Sequence, residues 1–272
     1  MAVKYVTVGS VATYVHHRGQ TTLPGLPPTA TSGTTILCIH DVTGNGNAFA
    51  GVLDALAADT RPVAFDLPAH GRSGGLDSLA TIGEMAAHLK ELADLLDLAS
   101  PVLVGDGMGA AIALEAAAQW PSWPSALVLC GGASGTPAPA AAAIDQVRLV
   151  TAGRSRRQFD TAAYGPNTAK AVFERAFSDW MKTDPRATVG DLEALASWDA
   201  SSRVGAVAVP VTVVVGEHEP EAARAEAELL AAALVTGSVV TLAGAARRGV
   251  YEQPDGLAAI IASVASAAGR TS

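Results

Sequence analysis

Cysteine, aromatic side chains and charge are all scarce in this chain. Two cysteines in 272 residues are too few for a disulfide framework. Cys38 and Cys130 both stand inside apolar, strand-like runs, where a thiol behaves as a small hydrophobe, so both are expected to be reduced. Charged residues make up 16% of the chain, 18 basic against 26 acidic, for a net charge of −8. A nucleic-acid surface needs clustered Lys and Arg to displace counterions from phosphates. The one dense basic run, Arg154 to Arg157, is short, and nucleic acid is excluded as a partner. Long hydrophobic runs are missing too. Pro210 to Gly216 is among the longest and falls far short of a bilayer span, and the start MAVKYVTVGS has neither the charged nor the apolar region of a signal peptide. The expectation is a cytoplasmic protein with no membrane partner, a monomer or homodimer. No H-x-x-x-H, H-x-H or C-x-x-C spacing is present, so no metal is expected. Gly105, Gly107 and Gly109 do not complete G-x-G-x-x-G, because Ile112 stands at the third glycine's place; no cofactor is expected either.

Apolar residues are plentiful, at 49%, enough for one well-buried domain with a small insertion. Strand-like β-branched runs at 35–40, 62–66, 101–105, 126–130, 209–216 and 238–242 are short and end in turn residues. Between them lie stretches with apolar residues at three and four spacing, such as Ile82 to Leu96 and Ala110 to Gln119. Strand and helix in alternation, with continuously apolar strands, predict a mostly parallel twisted sheet covered by helices on both faces. Val3 to His17 alternates as an antiparallel edge hairpin does, and the Pro-, Thr- and Gly-rich run 21–33 reads as loop. From 135 to 207 no convincing strand occurs, but aromatics do: Phe159, Tyr164, Phe173, Phe177, Trp180 and Trp198. This stretch predicts a helical cap over the carboxyl ends of the strands, where open α/β sheets bind ligands. The expected organisation is therefore core at 1–134, cap at 135–207 and core again at 208–272.

Four segments, in order, resemble the capped, single-domain α/β-hydrolase family. Ile39 to Asn45 (IHDVTGN) is similar to the family's His-Gly loop, which helps to build the oxyanion hole. Asp66 to Ser73 (DLPAHGRS) is similar to its D-x-P-G-H-G-x-S loop, with Ala69 in place of a glycine. Leu103 to Ala110 (LVGDGMGA) resembles the nucleophile elbow, G-x-S-x-G. Pro210 to Pro220 with Gly244 to Pro254 resembles the acid-bearing strand and the histidine loop. The resemblance implies an α/β-hydrolase fold with a helical cap.

The departures from the family pattern are as informative as the match. The nucleophile position falls on Gly107, which has no side chain, and counting back from Glu252-Gln253-Pro254 puts Arg247 where the family keeps its histidine. Arginine cannot act as a base at neutral pH. The acid position falls on Glu219, and Asp41 stands where the His-Gly loop has glycine, so that an anion faces any developing oxyanion. Nucleophilic catalysis needs a hydroxyl, a base and an orienting carboxylate, and the pattern implies a degenerate triad. The candidate catalytic residues are His40, Asp106, Arg247 and Glu219. His40 titrates near neutrality or else braces its loop, and Asp106 has its anion stabilised by a helix N-terminus or else caps that helix. Arg247 pairs with Glu219 or clamps a ligand anion. Asp41, Gly107, Met108, Trp180, Trp198 and His218 are the candidate substrate-binding residues, the aromatics favouring an apolar ligand.

Three functions are consistent with this pattern. The leading one is an enzyme acting on an apolar small molecule, such as a secondary metabolite, by a step without an acyl intermediate: cyclisation, isomerisation, dehydration or a lyase reaction. The others are a non-catalytic binding or scaffold pseudoenzyme and an atypical hydrolase of esters or lactones that uses activated water.

Overall fold

A computed structural model of the chain describes residues 2–18, 33–58, 60–131 and 141–270. Most of the loop expected at 21–33 and the start of the expected cap, 135–140, lie outside them. Eight strands, β1 (Ala2–Val8), β2 (Val11–His17), β3 (Thr35–Ile39), β4 (Arg61–Phe65), β5 (Val102–Asp106), β6 (Ala126–Cys130), β7 (Val211–Gly216) and β8 (Gly237–Leu242), form one sheet. Its order is β1-β2-β4-β3-β5-β6-β7-β8. The β1–β2 hairpin is antiparallel and β2 runs antiparallel to β4, whereas β4, β3, β5, β6, β7 and β8 pair in parallel.

The central strands are mostly apolar because both of their faces are buried, and successive side chains point to opposite sides. Leu37, Ile39, Leu103, Leu127 and Leu129 enter one core with the inner faces of α2 (Ile82–Leu95) and α3 (Met108–Gln119). Ile36, Cys38, Val102, Val104 and Val128 enter the other, against α1 (Ala50–Leu56) and α9 (Pro254–Ala268). Both thiols are buried and free.

Between β6 and β7 the chain forms α4 (Ala141–Thr151), α5 (Lys170–Trp180) and α6 (Pro185–Ala196), with no strand among the described residues there. Asp184-Pro185 starts α6, the aspartate accepting from Arg186 N and the proline supplying a preset φ at the first turn. After β7 come α7 (Glu221–Ala233) and, past β8, the short α8 (Gly249–Glu252). Buried polar bonds fix α5 and α6 over the sheet. Asp179 at the end of α5 accepts two bonds from Asn47 Nδ2, at 3.0 and 3.1 Å, and one from Tyr251 Oη. Asp191 on α6 binds His70 Nε2 at 2.8 Å and the Ser78 hydroxyl. Among the described residues no helix is long and apolar enough to cross a membrane, and no group of three His, Cys, Asp or Glu is placed to hold a metal ion.

Candidate active site

The tight connection from β5 to α3 sets the centre of the site. Gly107 has φ 54° and ψ −114°, a strained backbone that glycine alone adopts without penalty, and its amide donates to Cys130 O at 2.9 Å. The glycines on either side fix the frame: a Cβ at Gly105 would run into the backbone of Gly109, and one at Gly109 into Ile39 O. Gly107 is thus the buried apex of a strand–turn–helix. A Cβ there would collide with the carboxylate of Asp41, which arrives from the loop after β3. Asp41 therefore fills the space next to the turn that a side chain at residue 107 would need.

Asp41 is held from three sides. Oδ1 accepts from Met108 N at 2.9 Å and Oδ2 pairs with Arg248 Nη1 at 2.6 Å. Burial alone would raise its pKa, but the Arg248 and Arg247 guanidiniums and the Met108 and Val42 amides bring it down to about 2. The Arg248 pKa is raised in turn, burial being outweighed by Asp41 and Asp106. Asp106, at the end of β5, behaves oppositely. Burial and the charge of Asp41 push its pKa up to about 7 against the pull of the two arginines, and its buried Oδ1 has no hydrogen-bond partner. The helix N-terminus expected to hold Asp106 anionic does not prevail. The helix amide Met108 N is satisfied by Asp41 instead, and no side chain caps α3 from Gly107.

These groups open into a cavity of ≈ 190 Å³. Asp41, Asp106, Arg248 and Tyr164 line its floor, and Phe159, Ala176 and Trp180 supply an apolar wall. Tyr164 is pushed up to about 12 by burial and neighbouring carboxylates, against the influence of Arg248.

Of the residues expected from sequence, Asp41, Asp106, Gly107, Trp180 and the backbone of Met108 converge here; the Met108 side chain is buried in the core. The others lie elsewhere. His40 is wholly buried, donating from Nδ1 to Asp41 O at 2.8 Å and accepting at Nε2 from Leu67 N at 3.0 Å. Burial and His70 lower its pKa to about 4, so it is a neutral brace between two loops. Arg247 is exposed and lines a separate depression with His218 and Glu219. Glu219 accepts from Gly216 N at 2.8 Å and makes no ion pair with Arg247. Trp198 packs on the core and donates Nε1 to the buried Glu115 at 2.9 Å, which keeps it out of the cavity.

The cation that reaches the turn is Arg248, one residue beyond the count made from sequence, because the loop after β8 turns before α8 and directs the second arginine inward. Tyr251 and Phe159 also line the cavity. The doubled Arg247-Arg248 was the only sequence signal for this basic position, and which member turns inward is a property of the loop.

A parallel sheet, a glycine-flanked strand–turn–helix at its centre and a cavity beneath an inserted set of helices define the α/β-hydrolase class of fold. Residues 36–260 match the sequence profile described as "Alpha/beta hydrolase family", and the chain belongs to that family. A 101-residue stretch, 37% of the chain, is 34% identical to the dihydrolipoyllysine-residue acetyltransferase component of the acetoin cleaving system of Pseudomonas putida, and it spans only 27% of that protein. Among solved structures, the enol-lactonase from Burkholderia xenovorans LB400 superposes with TM-score 0.74 at 18% identity, over 96% of this chain and 99% of that one. The esterase EaEST from Exiguobacterium antarcticum superposes with TM-score 0.82 at 17% identity, over 98% and 100%. At these identities the likeness is one of fold.

Proposed function

We propose that this chain is an enzyme on a small, largely apolar molecule, with Asp106 as its proton-transfer residue and no covalent acyl-enzyme. The supporting observation is the divergence of two carboxylates in one cavity. Asp41 is held anionic near 2, whereas Asp106 is poised near 7 with a free, buried oxygen. Environments that separate two such groups are how proteins run acid–base chemistry at neutral pH. Gly107 supplies no nucleophile, and Arg248 stands where a base would be needed to activate one.

Hydrolysis of an ester or lactone by activated water is the reaction that family membership favours. Ionised Asp106 takes a proton from water as its oxygen attacks the carbonyl carbon, and the carbonyl π electrons move onto oxygen, facing Arg248. Collapse of the tetrahedral species re-forms the carbonyl and breaks the bond to the leaving oxygen, which takes the proton back from Asp106. A second reading is a non-hydrolytic acid–base step: cyclisation, isomerisation, dehydration or a lyase reaction. It is favoured by Asp41 itself, whose oxygen occupies the Met108 amide that a carbonyl oxyanion would use.

A panel of aryl esters and lactones in ¹⁸O-water tests the first reading. Turnover should place the label in the acid product, leave the protein mass unchanged, and fall about a hundredfold in Asp106→Asn. If the panel is inert while the protein converts a component of a cell extract to a product of equal mass, to one lighter by a water, or to two fragments whose masses sum to its own, the second reading holds. Binding without any product leaves a non-catalytic binding protein, and wild-type turnover in Asp106→Asn removes Asp106 from the mechanism.

A further inference from the structure

A second chamber of ≈ 140 Å³ adjoins the candidate active-site cavity and shares Thr43, Gln158 and Trp180 with it. Its remaining lining includes Arg156, Arg157, Gln146 and the apolar side chains of α4, and among the described residues it contains no carboxylate. In a chain of net charge −8, two adjacent arginines facing a concave space without an acid are an anomaly that calls for an anion.

Arg157 carries the argument. Its guanidinium carbon lies 4.0 Å from the centroid of the Trp180 ring, so the plane of the fork is fixed against an aromatic face. Nη1 donates to Thr183 O at 2.8 Å, while Nη2 is buried and has no hydrogen-bond partner. A buried guanidinium nitrogen without an acceptor is costly. Among the described residues the one carboxylate that acts on Arg157 electrostatically, Asp184, is already paired with Arg186 at 2.9 Å. Arg157 is thus positioned, partly desolvated and short of one acceptor, in the second chamber against the Trp180 ring that the two chambers share.

We infer that this chamber is an anion subsite, in which Arg157, supported by Arg156, receives a carboxylate or phosphate at the far end of a ligand whose apolar middle passes Trp180. The inference rests on the reading above only for where the reacting end lies, beside Asp106. Planar guanidinium groups match both oxyanions by paired hydrogen bonds, so carboxylate and phosphate are both admitted by the chemistry. Trp180 would then divide the ligand into a reacting end and an anchoring end, and neutral analogues would lose affinity.

The test measures binding, so failure of the catalytic reading does not affect it. Quenching of tryptophan fluorescence is followed with 2-naphthoate, 2-naphthyl phosphate and the neutral 2-naphthamide, with Trp180→Phe identifying the reporting ring. At least one anion should bind about tenfold or more tightly than the amide, with an affinity that falls with added salt. Arg157→Gln should abolish that preference, weakening the anions far more than the amide, and comparison of the two anions identifies the preferred group. Equal affinity for all three probes, no saturable binding of either anion, or an undiminished anion preference in Arg157→Gln would overturn the subsite. Far-UV circular dichroism and the urea midpoint of the variant establish that it is folded.

Discussion

Replacing Gly107 tests the central geometric claim, that the Asp41 carboxylate occupies the space a side chain at this turn would need. Gly107→Ala puts a Cβ into that carboxylate and forces a residue with a side chain to adopt φ 54°. Displacing Asp41 separates it from Met108 N and from Arg248, whose side chain is only 20% exposed. Leaving one member of a buried pair without its partner costs about 3 kcal/mol. The left-handed backbone adds about 1–2 kcal/mol, so the single variant should lose about 4–5 kcal/mol. Asp41→Gly breaks the same pair and should lose about 3 kcal/mol. In the double variant the pair can be lost only once and the collision is gone, so it should be no less stable than Gly107→Ala and fall about 3 kcal/mol short of additivity. Urea unfolding of all four proteins, with unchanged m-values, provides the measurement. Additive losses to within about 0.5 kcal/mol would refute the shared space.

Other expectations follow from individual groups. The Asp106 pKa is higher in the folded chain, about 7, than its ordinary 3.8. Its contribution is therefore fully present below pH 3.8 and is lost as pH rises through 7. Asp106→Asn should flatten that decline and be the more stable protein on the alkaline side by up to about 4 kcal/mol, as read from urea midpoints across the window. His70 is raised to about 9 from an ordinary 6.5, burial being outweighed by the charge and hydrogen bond of Asp191. Its stabilisation is complete below pH 6.5 and fades through 9, so the protection factors of α6 amides, corrected for the intrinsic rise of exchange with pH, should fall at the alkaline end, and His70→Gln should remove that fall. Ala69 holds a left-handed φ of 65°; Ala69→Gly should raise stability by about 0.5–1 kcal/mol in thermal unfolding, and a loss would mean that the methyl packs. Trp198→Phe should leave ligand binding unchanged while costing about 1–2 kcal/mol, because the buried Glu115 loses a donor.

The fold was legible in the sequence because it depends on local periodicity. Continuous apolar runs of five or six residues, turn residues at their ends and helical spacing between them specify strands buried on both faces. Each expected strand appears within about two residues of its place. Gly107 at the turn was legible for the same reason, since the flanking glycines are fixed by steric contacts within a few residues. The requirement at Ala69 was likewise visible, as alanine in a loop motif that resembles one with glycine there. The roles of the charged groups were not legible, because they depend on contacts between residues far apart in the chain. The Asp41–Arg248 pair joins positions 207 residues apart. Which of two adjacent arginines faces inward was decided by the turn before α8. Asp106 is shifted upward because tertiary packing buries it next to Asp41. Tertiary packing likewise put Trp180 at the cavity and Trp198 against Glu115, although both are tryptophans in the same inserted segment. Sequence determined which backbone could form; the tertiary structure decided which side chains share a volume without water, and therefore which of them change charge.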